Sequence, residues 1–189
     1  STKIKTLLSL TQSCSNIFIG GAMANNFLKY KGIAVGQSLL EEGSEKMIKG
    51  IYALAQKTGC EIHLPTDVVL DDEQSLSIDS LHDQNQFSIL DLSEHSIKVL
   101  EQLVKKSEIV LWNGPMGMIE DPRFAKGSSK LANLLAKSSC DVVIGGGDTL
   151  LAINIAGVSF DHYHFVSTAG GAFLEALEDK ELPGIIALQ

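Results

Sequence analysis

Hydrophobic residues recur along this chain in two alternating patterns. Short continuous runs rich in Val, Ile and Leu are typical of buried strands. They alternate with longer segments whose apolar residues are spaced three and four apart, as on one face of a helix. The clearest helix is predicted at 43–58, where Gly59 provides a stop and one stripe is formed by Met47, Ile48, Ile51, Leu54 and Ala55.

Strands and helices are therefore expected in alternation. Strands are predicted at 16–19, 61–64, 67–70, 108–112, 141–144 and 162–167. A first helix is expected to be capped by Ser1 or Thr2, and further helices are predicted at 24–30, 43–58, from 93 or 94, 121–137, 149–156 and 170–177. Residues 71–85 are polar and acidic and predict a surface excursion, with an irregular strand near Leu76 and Ile78.

The strands are Val/Ile-rich and do not alternate polar with apolar residues, which is typical of a sheet buried on both faces. The pattern predicts a three-layer α/β/α fold, with a mostly parallel, Rossmann-like sheet and helices on both faces. A chain of 189 residues without an internal repeat or linker is expected to form one domain, 1–189.

Composition excludes several classes of function. The net charge is −8 and no basic cluster stands out, so a nucleic-acid partner is not expected. The sequence contains no apolar run of roughly 18 residues, so no membrane span is expected. Cys14, Cys60 and Cys140 are far apart and predict neither a zinc site nor a disulfide framework, which favours the reducing cytoplasm.

Glycine-rich turns follow four of the predicted strands, at 20–22, 113–115, 145–147 and 168–171. The carboxyl ends of parallel strands lie along one edge of a sheet, where open α/β folds bind their ligands. Glycine lets a phosphate approach the backbone, and a helix N-terminus attracts an anion. The sequence therefore predicts a nucleotide-phosphate site along this edge, centred on residues 145–149.

Polar side chains near these turns each admit two interpretations. Asp148 is either a helix N-cap or an acid that holds Mg²⁺ beside bound phosphates. Thr149 either donates its hydroxyl to a phosphate or simply begins a helix. Lys3 is either a surface lysine or a contact for an anion at the first helix, and Glu120 is either a solvated acid or a hydrogen-bond acceptor for a ribose.

A histidine pair and a glycine-rich segment are two further motifs of the sequence. His162 and His164 are expected on one face of a strand, but no further ligand is spaced to complete a metal site. The chain lacks a P-loop, whereas the segment G-G-A-M-A-N at 20–25 resembles a degraded dinucleotide fingerprint. Glu41 and Glu42 follow at the distance of a ribose-binding acid, although no convincing strand precedes them.

An ordered set of motifs resembles the C-terminal, nucleotide-binding half of the phosphoglycerate kinase family. These motifs are S-T-K-I (1–4), I-G-G-A-M-A (19–24), L-P-T-D-V-V (64–69), L-W-N-G-P-M-G (111–117), F-A-K-G-S (124–128), I-G-G-G-D-T (144–149), S-T-A-G-G-A (167–172) and E-L-P-G (181–184). They run through nearly the whole chain in the order of the family.

The resemblance implies a kinase of glycolysis that reversibly transfers phosphate between 1,3-bisphosphoglycerate and ADP. The catalytic positions that it implies are Lys3, Gly147 and Gly171. The implied nucleotide-binding positions are Lys3, Gly20, Gly21, Ala22, Asn113, Gly114, Met116, Glu120, Gly146, Gly147, Asp148, Thr149 and Gly170. Lys3 would contact phosphates, Glu120 the ribose, the 20–22 turn the adenine, and Asp148 the Mg²⁺ that accompanies ATP or ADP.

Further expectations follow from the same resemblance. The N-terminal domain that binds 3-phosphoglycerate and 1,3-bisphosphoglycerate is expected to be absent, so the chain alone should be inactive. The full-length protein is expected to be a cytoplasmic monomer. The sequence departs from the family pattern at 20–22 and 169–171, where one of three glycines is replaced, and at Ile89 and Ser93-Glu94, where the family usually has Gly and Gly-Pro.

Two alternatives stay open at this point. One is a stand-alone nucleotide-binding module with the same fold, which the sequence upstream of Ser1 in the parent gene would distinguish from a kinase. The other is an NAD-binding Rossmann domain of a dehydrogenase, which predicts NAD binding in preference to ADP.

Overall fold

The computed structural model describes residues 2–82 and 86–168, and in these ranges helices alternate with strands. The helices are α1 (Thr2–Ser13), α2 (Gly21–Tyr30), α3 (Glu45–Thr58), α4 (Glu94–Lys105), α5 (Lys126–Ala136) and α6 (Gly147–Ile155). The strands are β1 (Asn16–Phe18), β2 (Glu61–His63), β3 (Asp67–Leu70), β4 (Ser75–Ser77), β5 (Ile89–Leu92), β6 (Ile109–Asn113), β7 (Asp141–Gly145) and β8 (Phe165–Ser167). The helix predicted at 170–177 lies outside the described residues.

The strands that lead into the predicted glycine turns pair in parallel with their neighbours. Strand β1 pairs with β2, and β7 lies between β6 and β8 in a second parallel sheet. The register of β6 and β7 pairs Asn113 with Gly145, so both strands end at the same level. The predicted α/β fold with parallel strands and packed helices is confirmed.

One part of the fold differs from the expected parallel sheet. Strands β3, β4 and β5 form an antiparallel sheet in the order β4-β3-β5. The predicted strand at 67–70 and the irregular strand near Leu76 belong to it. Strand β5 was not predicted, because Asp91 interrupts an otherwise apolar run and a buried acid is uncommon in a strand interior.

Several predicted elements have different boundaries in the structure, and two of them change in kind at their start. The expected helix at 121–137 is divided into a 3₁₀ turn, Pro122–Phe124, and α5, with Ala125 between them. Asp121 caps the 3₁₀ turn by accepting a bond from the Arg123 N–H. The strand predicted from 162 begins only at Phe165, because His162 belongs to a 3₁₀ turn, so the expectation that His162 and His164 share a strand face is wrong.

Apolar residues gather in separate clusters on either side of the glycine turns. One cluster joins β1 to α1, α2 and α3 through residues such as Ile17, Phe27 and Ile51. A larger one joins β6 and β7 to helices α4, α5 and α6. Gly59 ends α3 in the left-handed conformation, as the sequence predicted. Within the described ranges, no helix combines the length and hydrophobicity that crossing a bilayer requires.

Burial predicts a large difference between two leucines on neighbouring helices. Leu135 on α5 is 1% exposed and lies in the larger cluster, whereas Leu151 on α6 is 48% exposed. We expect Leu135→Ala to lower the free energy of unfolding by about 2–5 kcal/mol, because it leaves a cavity. Leu151→Ala should change it by no more than about 0.5 kcal/mol. Urea denaturation measures both, and equal losses would contradict this assignment of the core.

Candidate functional site

A cleft of about 810 Å³ opens where β1 and β6 end and α6 begins. Ligand pockets commonly measure roughly 300–1,000 Å³, so this cleft can accommodate a nucleotide-sized molecule. Two of the four glycine-rich turns predicted from the sequence line it, at 20–22 and 113–115, and so does Asp148, which directly follows the third at 145–147. The fourth turn, with Gly170 and Gly171, lies outside the described residues.

The turns after β6 and β7 are held together by side-chain hydrogen bonds. The Asn113 amide Nδ2 donates to the Gly145 carbonyl at 2.9 Å. Trp112 places its ring in the core and donates its Nε1–H to the Gly114 carbonyl at 2.7 Å. The indole of Trp112 therefore serves both the core and the closure of the 113–114 turn.

Thr149 connects these two turns through a single buried hydroxyl. Its side chain is 0% exposed. The hydroxyl donates to the Gly145 carbonyl at 2.7 Å and accepts from the Gly114 N–H at 2.6 Å. A hydroxyl has one hydrogen to donate, and here the hydrogen is already engaged. Thr149 therefore positions the turns, and the interpretation in which it donates to a phosphate is not favoured by this geometry.

The turn after β1 packs directly against the turn after β6. A Cβ at Gly21 would lie 2.6 Å from the Pro115 carbonyl oxygen, and Gly21 has φ of 58°. A Cβ at Gly20 would lie 2.6 Å from the Met116 sulfur. Glycine is required at Gly21 by this backbone contact and by its positive φ, in addition to any approach of a ligand, whereas the atom beside Gly20 belongs to a flexible side chain that can move.

Helix α6 begins with two exposed residues at the end of the cleft. Its N-cap is Gly146, with φ of 93°, and the Thr149 and Leu150 N–H groups donate to the Gly146 carbonyl. The N–H groups of Gly147 and Asp148 precede those bonds, so they belong to the unpaired first turn of a helix. Asp148 makes no capping bond and lines the cleft, so the interpretation of Asp148 as the N-cap is wrong.

Most of the predicted site residues meet in this one place. Those that line the cleft are Gly20, Gly21, Ala22, Asn113, Gly114, Met116, Glu120 and Asp148. Gly146, Gly147 and Thr149 flank Asp148 at the start of α6. Lys3 lies in the first turn of α1, and its side chain is outside the description.

Several cleft residues were not identified from the sequence. Asn25 on α2 and the 37–41 loop form part of the wall, and Asp91 at the end of β5 lies beside them. The signals were present but weak. Asn25 and Asn26 are polar residues on the buried face of α2, and Asp91 is the one acid within the apolar run of β5.

Asp91 is a buried carboxylate held between two glycines. It is 2% exposed and accepts hydrogen bonds from the Leu92 N–H at 2.8 Å and the Gly127 N–H at 2.9 Å. A Cβ at Gly117 or Gly127 would lie within 2.4 Å of Oδ1. Burial raises the pKa of Asp91 to about 6, although the backbone hydrogen bonds oppose that shift. Asp91 therefore connects the cleft wall at Gly117 to Gly127 at the start of α5.

A preformed metal cage is not found in the described part of the chain. There, no three His, Cys, Asp or Glu side chains lie close enough together to hold a metal ion. Asp148 is a single carboxylate beside a helix N-terminus. This arrangement fits Mg²⁺, which usually binds through one or two carboxylates, water and the phosphates of a bound nucleotide.

Comparison with known proteins agrees with this architecture. The sequence profile of the family described as phosphoglycerate kinase matches residues 1–180. The chain is 42% identical to the phosphoglycerate kinase of Zymomonas mobilis and 41% identical to that of Maricaulis maris. All of this chain is covered in each case, against 50% and 49% of those proteins, so the chain spans about half the length of the curated relatives it matches.

Solved structures of phosphoglycerate kinases have a fold similar to that of this chain. The phosphoglycerate kinase from Coxiella burnetii superposes with a TM-score of 0.91 at 35% identity, over 99% of this chain and 49% of that chain. The enzyme from Pyrococcus horikoshii gives 0.81 at 25% identity, with the same coverage. Fold and site define an α/β protein with a ligand cleft at the carboxyl ends of its parallel strands. The chain belongs to the phosphoglycerate kinase family.

The Thr149 hydroxyl should contribute more to stability than the methyl group of the same side chain. Thr149→Val keeps the shape but leaves the Gly114 N–H without its acceptor, so we expect a loss of about 1–3 kcal/mol in the free energy of unfolding. Thr149→Ser keeps both hydrogen bonds and should lose less. Urea denaturation of the two variants tests this, and an equal loss in both would contradict the role of the hydroxyl.

Asp91 should make stability depend on pH. Because its pKa is higher in the folded protein than in the unfolded chain, its contribution to stability is largest below about pH 4 and is lost as the pH rises through about 6. Relative to Asp91→Asn, the wild type should lose about 2 kcal/mol of unfolding free energy across that range. Urea denaturation at several pH values measures this, and parallel pH profiles would contradict it.

Proposed function

We propose that this chain is the nucleotide-binding half of a kinase that reversibly transfers phosphate between 1,3-bisphosphoglycerate and ADP in glycolysis. The observation that carries the proposal is the cleft itself. It combines apolar walls with the exposed start of α6, where Asp148 lines the cleft within the unpaired first turn of the helix. An apolar wall suits a base, and a helix N-terminus suits a phosphate.

Each predicted residue then has a role within the cleft. The 20–22 turn forms a wall for the adenine, and Asn113, Gly114 and Met116 line the adjoining wall that packs against it. Glu120 is exposed and lines the cleft, so its carboxylate can accept hydrogen bonds from a ribose. Gly146, Gly147 and Asp148 receive the phosphates, while Thr149 acts indirectly by holding the 113–114 turn in position.

Phosphoryl transfer depends mainly on positioning and on positive charge around the moving group. In this proposal the N–H groups of α6, Lys3, Gly170 and Gly171 supply hydrogen bonds and charge. Asp148 would hold Mg²⁺, which neutralises phosphate charge when it is bound with ATP or ADP. The residues themselves bind and orient the nucleotide, and none of them forms a covalent bond with the phosphoryl group.

The second substrate would bind to a part of the parent protein outside these 189 residues. Because the chain spans about half of its relatives, 3-phosphoglycerate and 1,3-bisphosphoglycerate would bind to the other half. The chain alone would therefore bind MgADP or MgATP without turnover. A cytoplasmic location and a monomeric full-length protein belong to the same proposal.

The dehydrogenase alternative is not supported by the local fold. The Rossmann fingerprint requires its ribose-binding acid at the end of a second strand. Glu41 instead lies in the loop between α2 and α3. A thermal-shift comparison distinguishes the two, because a ligand that binds only the folded state raises its melting temperature. A larger shift with NAD than with ADP would favour the dehydrogenase.

Titration calorimetry with MgADP tests the proposed site. Asp148→Ala should weaken MgADP binding but not the binding of ADP without metal, because only the Mg²⁺ contact is lost. Lys3→Ala should weaken both by about tenfold, because it removes one charge-assisted contact with a phosphate.

Matched controls lie at the start of β7, at the opposite end of the strand from Asp148. Asp141 is the first residue of β7, and Lys137 is the C-cap of α5, the helix that precedes β7. Asp141→Ala and Lys137→Ala should bind MgADP as the wild type does. Equal binding by all four variants would contradict the site, and transfer to 3-phosphoglycerate by the isolated chain would contradict the assignment of half an enzyme.

A further inference from the structure

Asp91 is a buried acid to which the proposed nucleotide contacts give no role. It lies in β5 beside the cleft, and its side chain is 2% exposed. Ionisation of this carboxyl costs stability, because burial raises its pKa to about 6. Stability at neutral pH therefore does not explain why an acid occupies this position. Groups whose burial is costly in this way are common at functional sites.

The carboxylate caps helix α5 from outside the helix. Its Oδ2 accepts a hydrogen bond from the Gly127 N–H at 2.9 Å, and the backbone of Lys126 also donates to the carboxylate. Ala125, the N-cap residue of α5, makes no side-chain cap bond. The first N–H groups of a helix have no partner within the helix, and the helix dipole favours a negative charge beside them. Asp91 therefore fixes the first turn of α5 against β5.

The same turn of α5 holds the wall of the cleft. Ser128 follows Gly127 directly and is 0% exposed, and its hydroxyl accepts from the Met116 N–H at 2.9 Å. Met116 lines the cleft and is one of the predicted nucleotide contacts. A displacement of the first turn of α5 would therefore move the hydrogen-bond acceptor that holds Met116.

Close packing leaves little room for this junction to shift. A Cβ at Gly117 would lie 2.3 Å from Oδ1 of Asp91 and 2.4 Å from the Phe124 carbonyl oxygen. The next residue, Met118, donates its N–H to the Leu90 carbonyl of β5 at 2.8 Å. Strand β5, the start of α5 and the cleft wall therefore meet at one place, where the Asp91 side chain contacts the other two segments.

We propose that Asp91 is a positioning residue for the nucleotide cleft, because its carboxylate places the first turn of α5, from which Ser128 holds Met116 in the cleft wall. This inference rests on the proposed nucleotide function and adds to it a residue that acts through others. A wall held in its binding position before the ligand arrives lowers the cost of ordering the site. Neutralising Asp91 weakens the charge-assisted hydrogen bonds to α5 and so loosens that wall.

Titration calorimetry with MgADP at about pH 8 tests the proposal. Asp91→Asn keeps the size of the side chain, and we expect it to weaken MgADP binding by about three- to tenfold. Ser128→Ala removes the acceptor of the Met116 N–H and should weaken binding by a similar factor. The double variant should bind about as well as the weaker single variant, because both changes act through the same contact. Fully additive losses would overturn the proposed route through Ser128.

Two variants control for the loss of a charge and of a hydroxyl. Asp79→Asn removes an exposed charge in the 3₁₀ turn after β4, and Ser129→Ala changes the next residue on α5. Both should bind MgADP as the wild type does. If Asp91→Asn changes only the urea stability and keeps wild-type affinity, Asp91 serves the fold alone and the proposal is overturned.

A pH profile separates positioning from fold stability. Lys126, in the same turn of α5, acts on Asp91 with its charge, whereas Val69, the register partner on β3, and the facing Gly117 and Met118 carry none. As the pH falls below about 6, Asp91 binds a proton and the wild type comes to resemble Asp91→Asn. The ratio of their affinities should fall to about one near pH 5, and titration of ADP itself cancels in this ratio. A ratio that does not change with pH would overturn the proposal.

If Asp91→Asn does not fold, the same pH series with Ser128→Ala decides. Protonation of Asp91 acts through Ser128, so the affinity ratio of wild type to Ser128→Ala should also fall towards one at low pH. A constant ratio would overturn the proposal in this case as well.

Failure of this inference is distinct from failure of the proposed function. If the wild type does not bind MgADP, the nucleotide site is wrong and the inference falls with it. If Asp148→Ala weakens MgADP binding and Asp91→Asn does not, the site stands and the role of Asp91 is wrong.

Discussion

The buried hydroxyl of Thr149 is the interaction on which the architecture of the site depends. It is bonded to Gly145 and Gly114 at once, so it joins the ends of two neighbouring parallel strands and the first turn of α6. Asn113 adds a second connection between the same turns. Without these bonds the backbone groups of both turns would lose buried partners, which is costly in a water-excluded environment. The position of the α6 N-terminus relative to the 113–116 wall follows from this connection.

Close backbone approach is the second constraint, and it explains why glycines border the cleft. Gly20 and Gly21 pack against Met116 and Pro115, and Gly117 packs against the Asp91 carboxylate. A side chain at Gly21 or Gly117 would collide with backbone oxygens, those of Pro115 and Phe124, and would push the packed segments apart. The glycines that suggest a phosphate site in the sequence therefore serve the packing of the protein as well. Their presence alone does not distinguish a ligand contact from a contact between turns.

Buried polar groups divide into two kinds in this protein. Thr149 and Asp91 have their hydrogen bonds within the chain, and they hold segments together. The oxygen of Asn25 has none among the described residues, although the nitrogen of the same amide binds the neighbouring loop.

The sequence by itself determined the alternation of strands and helices, the glycine turns at strand ends and the part of the cleft wall that these turns form, because these depend on local periodicity and on the absence of a Cβ. It could not reveal the antiparallel pairing of β3 with β4 and β5, since strand direction is decided by contacts between distant segments. It left Asp148 and Thr149 with two interpretations each. The tertiary structure excluded Asp148 as the N-cap and gave the Thr149 hydroxyl two partners within the chain, because the partner of a polar side chain depends on which strand ends meet, as Gly114 and Thr149 do across 35 residues of chain.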